Sequence, residues 1–138
     1  MDTDVLTAAL RSHRGASRLL LVAALQKRFD VLVSVPLMIE YEAVLTRVDH
    51  LAAAGASVED VRTVLDALAT VLEPVRLSFL WRPMLPDADD DMVLETAVNG
   101  RADLLVTFNR RHFEAASATF GIEVESPADA VRRLRGVL

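Results

Sequence analysis

Three short, apolar, β-branched runs, at residues 30–34, 102–108 and 122–125, are separated by stretches whose apolar residues recur at helical spacing. Strands this brief alternating with helices imply a parallel sheet covered on both sides, since each parallel connection must cross over the sheet. The strongest strand signal is Ala102-Asp103-Leu104-Leu105-Val106-Thr107-Phe108, which runs into the polar turn Asn109-Arg110-Arg111-His112. Helices are expected over residues 17–28, 36–48, 58–72, 89–99 and 114–120, and from Pro127 onward. Their ends are marked by Pro36 in a first turn, Ser57 with Asp60 three residues later, Gly100 as a C-cap, and Ser126 before Pro127. Residues 75–80 read as extended and 82–86 as a loop. The expected class is therefore α/β: a three-layer α/β/α arrangement with a central parallel sheet covered by helices on both faces. Such sheets carry their sites at the C-terminal ends of the strands.

With 138 residues, 52% of them hydrophobic, the chain has the size and apolar content of one domain spanning 1–138. The absence of cysteine excludes thiolate metal sites, disulfides and cysteine nucleophiles. No apolar run approaches the roughly 20 residues of a membrane helix, and the acidic opening is unlike a signal peptide, so a cytoplasmic protein without membrane contact is expected. The net charge of −5 does not mark a general nucleic-acid binder. Arginines nevertheless gather at Arg11, Arg14 and Arg18, at Arg110 and Arg111, and at Arg132, Arg133 and Arg135; each cluster suits phosphate, and each is equally a solvated helix face.

Function is carried by acids. Asp2 and Asp4 open the chain, Glu40 lies mid-chain, and Asp87, Asp89, Asp90 and Asp91 come late. Carboxylates gathered from distant segments repel one another unless a cation lies between them, which points to a divalent-metal site. Within the helix at 36–48, Leu37, Tyr41, Val44, Leu45 and Val48 share a face, Glu40 lies at its margin, and Glu42 points to solvent. Within 89–99, Asp90 is in line with Leu94 and Ala97, while Asp91 lies on the other margin. Asp90 is the expected inward acid, and Asp87 or Asp89 the helix cap. Taken singly, each has a plainer reading: Asp2 and Asp4 as terminal surface residues, Glu40 as a solvated helix acid, the aspartate run as a cap, Asn109 as a turn residue. His112 is read as a surface side chain, and Trp81 and Phe79 as packing or partner contacts.

In their order these pieces resemble the PIN-domain nucleases, most closely the VapC-like toxins of bacterial toxin–antitoxin pairs. The resemblance rests on Asp2-Thr3-Asp4-Val5-Leu6 for an Asp-Thr-Asn-Val-Leu opening, Ser34 to Glu42 for the second-acid helix, Asp87 to Leu94, and Leu105-Val106-Thr107-Phe108-Asn109, with Ser126-Pro127-Ala128 near the end. It implies Asp2, Glu40 and Asp90 as catalytic and metal-binding acids for Mg²⁺ or Mn²⁺, with Asp4, Asp91 and Asn109 as further candidate ligands. Thr107 has a supporting role, and Arg110 and Arg111 contact substrate phosphate. It also implies metal-dependent hydrolysis of RNA, an antitoxin protein occupying the acidic cleft, and a homodimer. Three departures are visible. Asn109 stands where many relatives carry a fourth Asp, Asp4 replaces the usual Asn, and only Met1 precedes an acid that in the family ends a central strand of about five residues. Either the natural start lies upstream, which is the expectation, or the sheet lacks a strand and the Asp2 corner is poorly anchored.

Two other functions compete. A PIN domain without activity would serve as a nucleic-acid or protein binding module. The Asp2-Thr3-Asp4-Val5-Leu6-Thr7 opening is also similar to that of haloacid-dehalogenase-like phosphatases. Those need a lysine downstream of a strand-end Ser or Thr, whereas the only lysine, Lys27, precedes Ser34.

Overall fold

Among the described residues the computed structural model contains four strands, each of two or three residues. It describes residues 1–78, 85 and 87–138, except the side chains at 88 and 89. Phe79, Trp81 and the 82–86 loop apart from Leu85 lie outside the described residues, as do the end of the stretch expected to be extended and the side chain of Asp89, one of the two expected caps. Strand β1 (Leu32–Val33) pairs in parallel with β2 (Glu73–Pro74), and β3 (Leu104–Val106) pairs in parallel with β4 (Glu123–Glu125). The parallel direction is as expected. Among the described residues, however, the strands form two separate two-stranded pieces in place of one continuous central sheet.

Eight helices surround these pieces among the described residues: α1 (Thr3–Arg11), α2 (Ala16–Leu25), α3 (Val35–Leu45), α4 (Val48–Ala54), α5 (Val58–Val71), α6 (Ala88–Asn99), α7 (Arg110–Thr119) and α8 (Pro127–Arg133). None is long and apolar enough to cross a membrane. Helix α6 packs on both β1 and β3 and so spans the two half-sheets, while α2 packs on α1, α5 and α8. The core is drawn from one face of each long helix: Leu37, Tyr41 and Leu45 of α3, Val61, Leu65 and Leu68 of α5, Leu94 of α6 and Phe113 of α7 are all buried. Each such side chain contributes about 1.5–3 kcal/mol by leaving water.

Local capping chemistry explains most boundaries. Ser34 accepts from the Leu37 N–H with Pro36 in the first turn of α3, and Ser126 accepts from the Asp129 N–H with Pro127 at the start of α8. Ser57 and Asp60 form a reciprocal capping box on α5, each side chain accepting from the other's backbone N–H. Ser57→Ala is therefore expected to lower stability by about 1 kcal/mol, read as a shifted urea midpoint with an unchanged slope.

One element was not anticipated and two local expectations are corrected. The opening residues form a helix, α1, since Thr3, Val5, Leu6 and Ala9 recur at helical spacing and are buried. The helix expected over 36–48 ends at Leu45: Thr46 turns its hydroxyl back to the Glu42 carbonyl at 2.7 Å, the chain extends at Arg47, and Val48 starts α4, 84% exposed. Gly100 does not supply the left-handed turn after α6, which falls on Arg101 at φ 54°. What Gly100 provides is closeness: a Cβ there would lie 2.7 Å from a Leu32 methyl and 2.8 Å from one of Val75, so only glycine lets the end of α6 sit on β1 and the residue after β2.

Candidate active site

Helix α3 begins two residues after the end of β1 and α7 four residues after the end of β3, and α1 begins beside the end of β3. Side chains from three remote segments therefore meet at one edge of the sheet. Asp2 is held there by its backbone and by its carboxylate. Its N–H donates to the Val106 carbonyl at 2.9 Å, and its Oδ2 accepts from the Thr107 hydroxyl at 2.7 Å. Asp2 is 6% exposed and Thr107 fully buried. The corner is thus well anchored, by the last residue of β3 and the residue that follows it. Thr107, expected as a supporting residue, makes the bond to the Asp2 carboxylate.

Asp4, one helical step on, reaches across to the turn after β3. Its Oδ2 accepts from the Phe108 N–H at 3.1 Å and from the Asn109 side-chain amide at 3.2 Å. Its Oδ1 is buried without a hydrogen-bond partner among the described residues. Burial first, then the charges of Asp2 and Asp90, push the Asp4 carboxyl up to about 7, against the hydrogen bonds from Phe108 and Val5. Asn109 thus directs its NH₂ at an acid.

Asp90 is 8% exposed on the buried side of α6, beside fully buried Leu94, as the helical spacing predicted. Its Oδ2 lies 3.0 Å from His112 Nδ1. Burial raises its pKa, the bond to His112 opposes this, and Asp2 and Asp87 raise it further. His112 is exposed at the start of α7 but engaged with a candidate ligand, which the reading of a plain surface side chain missed. Its spacing of three from Asn109 was the available signal, and only the docking of α7 on α6 shows its partner.

The remaining candidates divide. Asp91 is 2% exposed and its Oδ1 accepts from the Leu85 N–H at 3.0 Å, so it ties down the segment before α6 and does not face Asp2 or Asp4 through that oxygen. Glu40 is half-buried on α3, one residue before Tyr41, whose hydroxyl donates to the Met1 carbonyl at 2.5 Å. Burial and the charges of Asp2 and Asp4 raise the Tyr41 pKa, which puts α3 within electrostatic reach of the acids. Glu95, 1% exposed on α6, is a buried acid that the sequence reading did not single out; it lies four residues after Asp91, on the same face. Arg110 lies 3.7 Å from Asp129 and 3.8 Å from Glu114, weak surface pairs that leave it able to turn, and Arg111 is exposed. Of the other arginines, Arg11 donates to buried His50, Arg18 to the Ala9 carbonyl, Arg132 pairs with Asp129 and Arg133 with Glu123 and Glu125.

Among the described residues no three acids or histidines are gathered tightly enough to hold a metal ion as they stand. The donor chemistry nonetheless suits a hard cation, being oxygen-rich, with a buried Asp4 oxygen that has no partner among the described residues and two acids, Asp4 and Asp90, held above their ordinary pKa by burial first and then by repulsion from neighbouring carboxylates. That repulsion acts on folding. Because the folded pKa of Asp4 exceeds its unfolded value of 3.8, its ionisation opposes folding at neutral pH, and the penalty fades as pH falls from about 7 towards 4. Asp4→Asn is expected to stabilise the metal-free protein at pH 8 by about 1–2 kcal/mol, discounted for its partial exposure, and to leave stability unchanged at pH 4. Thermal melts at the two pH values check this.

The family model of the PIN domain matches residues 1–111, a span that contains Asp2, Glu40, Asp90, Thr107 and Asn109. No curated protein and no solved structure matches the chain. A match over most of the length establishes that the chain belongs to the PIN-domain family.

Proposed function

We propose that this chain is a metal-dependent endoribonuclease of the toxin–antitoxin kind, hydrolysing RNA phosphodiester bonds with Mg²⁺ or Mn²⁺ held by Asp2, Glu40 and Asp90 and supported by Asp4. PIN domains are generally nucleases, and such nucleases typically use divalent metals. The observation that carries the reading is the unpartnered buried oxygen of Asp4 beside two further acids that raise its pKa. A bound divalent ion lowers the pKa of its water towards neutrality and offsets charge building on the phosphate. The chain's own groups do the rest. Thr107 fixes the Asp2 carboxylate, His112 fixes that of Asp90, and the Asn109 amide holds Asp4. Phe108, 52% exposed beside Asp4, offers a face on which an unpaired base stacks, as single-stranded RNA requires. Arg111, and Arg110 once released from Asp129, would meet the phosphates.

Incubation with an unstructured RNA oligonucleotide is expected to give Mn²⁺-dependent cleavage that stops with chelator. An antitoxin peptide inserted among the acids would silence it in the cell, and a homodimer fits the exposed Leu19 and Val22 of α2. One observation favours a second reading, a binding module without catalysis: no ready three-acid cluster exists among the described residues. RNA binding that is equal with and without Mn²⁺, with no cleavage in either, would decide for that module.

A further inference from the structure

One stripe of α1 faces a groove that begins at the acids. Thr3, Thr7 and Arg11 recur at four-residue spacing, with Asp4 and Ala8 beside them, and together they form one wall of an open groove of about 390 Å³. Val44 of α3 lies on the other wall. Phe108, 52% exposed, stands at the Asp4 end, where its N–H donates to the Asp4 carboxylate. The Thr7 hydroxyl turns back to the Thr3 carbonyl at 3.1 Å, so the middle of the groove, with Ala8 and Val44, is apolar.

The far end carries a cation. Arg11 comes seven residues after Asp4, about 10 Å along the helix axis. Its Nε donates to Nδ1 of His50 at 3.1 Å, across the contact between α1 and α4. A guanidinium only donates, so Nδ1 accepts, the ring proton is on Nε2 and the imidazole is neutral. Burial first, and then the Arg11 charge, lower the His50 pKa to match. His50 is 2% exposed, and its Nε2 has no partner among the described residues. That orphaned donor costs about 1–3 kcal/mol, a penalty that an apolar side chain of similar volume would avoid. What histidine adds is an acceptor that fixes the guanidinium. Arg110, Arg132 and Arg133 are matched by carboxylates, whereas no partner is found among the described residues for the two terminal nitrogens of exposed Arg11. An oriented, uncompensated cation therefore closes an apolar strip.

We propose that this groove seats one nucleotide of the RNA, the neighbour of the one cut: its base lies on the strip of Ala8 and Val44 against Phe108, and its outer phosphate is gripped by the terminal nitrogens of Arg11, which His50 holds in place. The inference rests on the nuclease reading for the position of the cut, at the acids. Charge decides the occupant. The guanidinium fork fits a phosphate with two parallel hydrogen bonds, and the apolar strip beside an exposed aromatic ring fits the face of a base. The separation of about 10 Å means that Arg11 meets a different phosphate from the one at the acids. A base must be unstacked to enter, so the groove selects single strands. Arg11 is thus a binding residue, and His50 a positioning residue that acts through it.

Fluorescence anisotropy of an RNA of about ten uridines, titrated with the full chain in chelator between about 50 and 200 mM salt, reads the contact without cleavage. Arg11→Ala is expected to bind about 10-fold more weakly and to lower the slope of log affinity against log salt by about 0.7, the value of one phosphate on a single strand. His50→Leu should lose the same affinity with Tm kept or raised. His50→Asn, which retains an acceptor where Nδ1 stands, should restore it, and the Arg11→Ala/His50→Leu pair should be no weaker than Arg11→Ala alone. Ala8→Leu, which fills the strip without touching charge, should weaken binding at an unchanged slope. RNA affinity untouched in folded Arg11→Ala and Ala8→Leu would mean that the groove takes a protein or nothing, and would overturn the proposal, as would failure of the wild type to bind. Mn²⁺-dependent cleavage is scored separately. Cleavage together with Arg11-independent affinity overturns the groove and leaves the nuclease reading, whereas Arg11-dependent binding without cleavage supports the groove and removes the nuclease.

Discussion

Asp90→Asn is expected to lower Mn²⁺ affinity and Mn²⁺-dependent RNA cleavage by two orders of magnitude or more, with the fold of the metal-free protein kept. The loss should be large because removing a group that merely supports a metal ligand already costs 10–100-fold, and Asp90 is the acid that α6 turns inward against Asp2 and Asp4. The fold should survive because the amide retains a hydrogen-bond acceptor for His112 and sheds a buried charge whose pKa is raised by desolvation and by Asp2 and Asp87. Calorimetric titration with Mn²⁺, run beside a thermal melt, separates the two effects. Unchanged affinity in a folded variant would remove Asp90 from the metal site.

Thr107→Val is the second large effect, and it reaches both stability and activity. The hydroxyl donates to the Asp2 carboxylate at 2.7 Å and accepts from the Asn109 N–H at 3.0 Å. Valine keeps the volume but strips a buried carboxylate of its donor and a backbone N–H of its acceptor, so about 1–3 kcal/mol of stability should be lost. Mn²⁺ affinity should fall about 10–100-fold as Asp2 loses its fixed orientation. Thr107→Ser, which retains the hydroxyl, should restore most of the affinity. A serine variant as impaired as the valine one would show that the methyl group, and not the bond to Asp2, was what mattered.

The two acids differ in how readily they could be identified. Asp90 was recognisable because 3.6-residue periodicity alone aligns it with Leu94 and Ala97, and both are buried beside it. Asp91, its neighbour, has the same chemistry and was placed on the other margin of that face as a further candidate. That its carboxylate takes the Leu85 N–H is not encoded in the helical spacing. Asp4 looked like an extra acid beside Asp2. Its bonds to Phe108 and Asn109 span more than a hundred residues and exist only because α1 leaves from the end of β3. His112 was taken for a surface side chain on the same grounds, since helix α7 had been expected to begin later and its contact with α6 is tertiary.

Local signals, being short-range chemistry, determined the elements: the capping serines at 34, 57 and 126, the prolines at 36 and 127, the β-branched runs, and the order of acidic motifs that marks the family. Long-range packing decided the rest. The end of β3 gathers Asp2, Asp4 and Thr107, α6 brings Asp90 to His112, and the strands stand in two separate pairs among the described residues, with α6 packed on both. Helix periodicity and capping are set within a few residues of the chain, whereas strand pairing and the meeting of side chains are set by which distant segments share a neighbour, and a linear pattern carries no record of that.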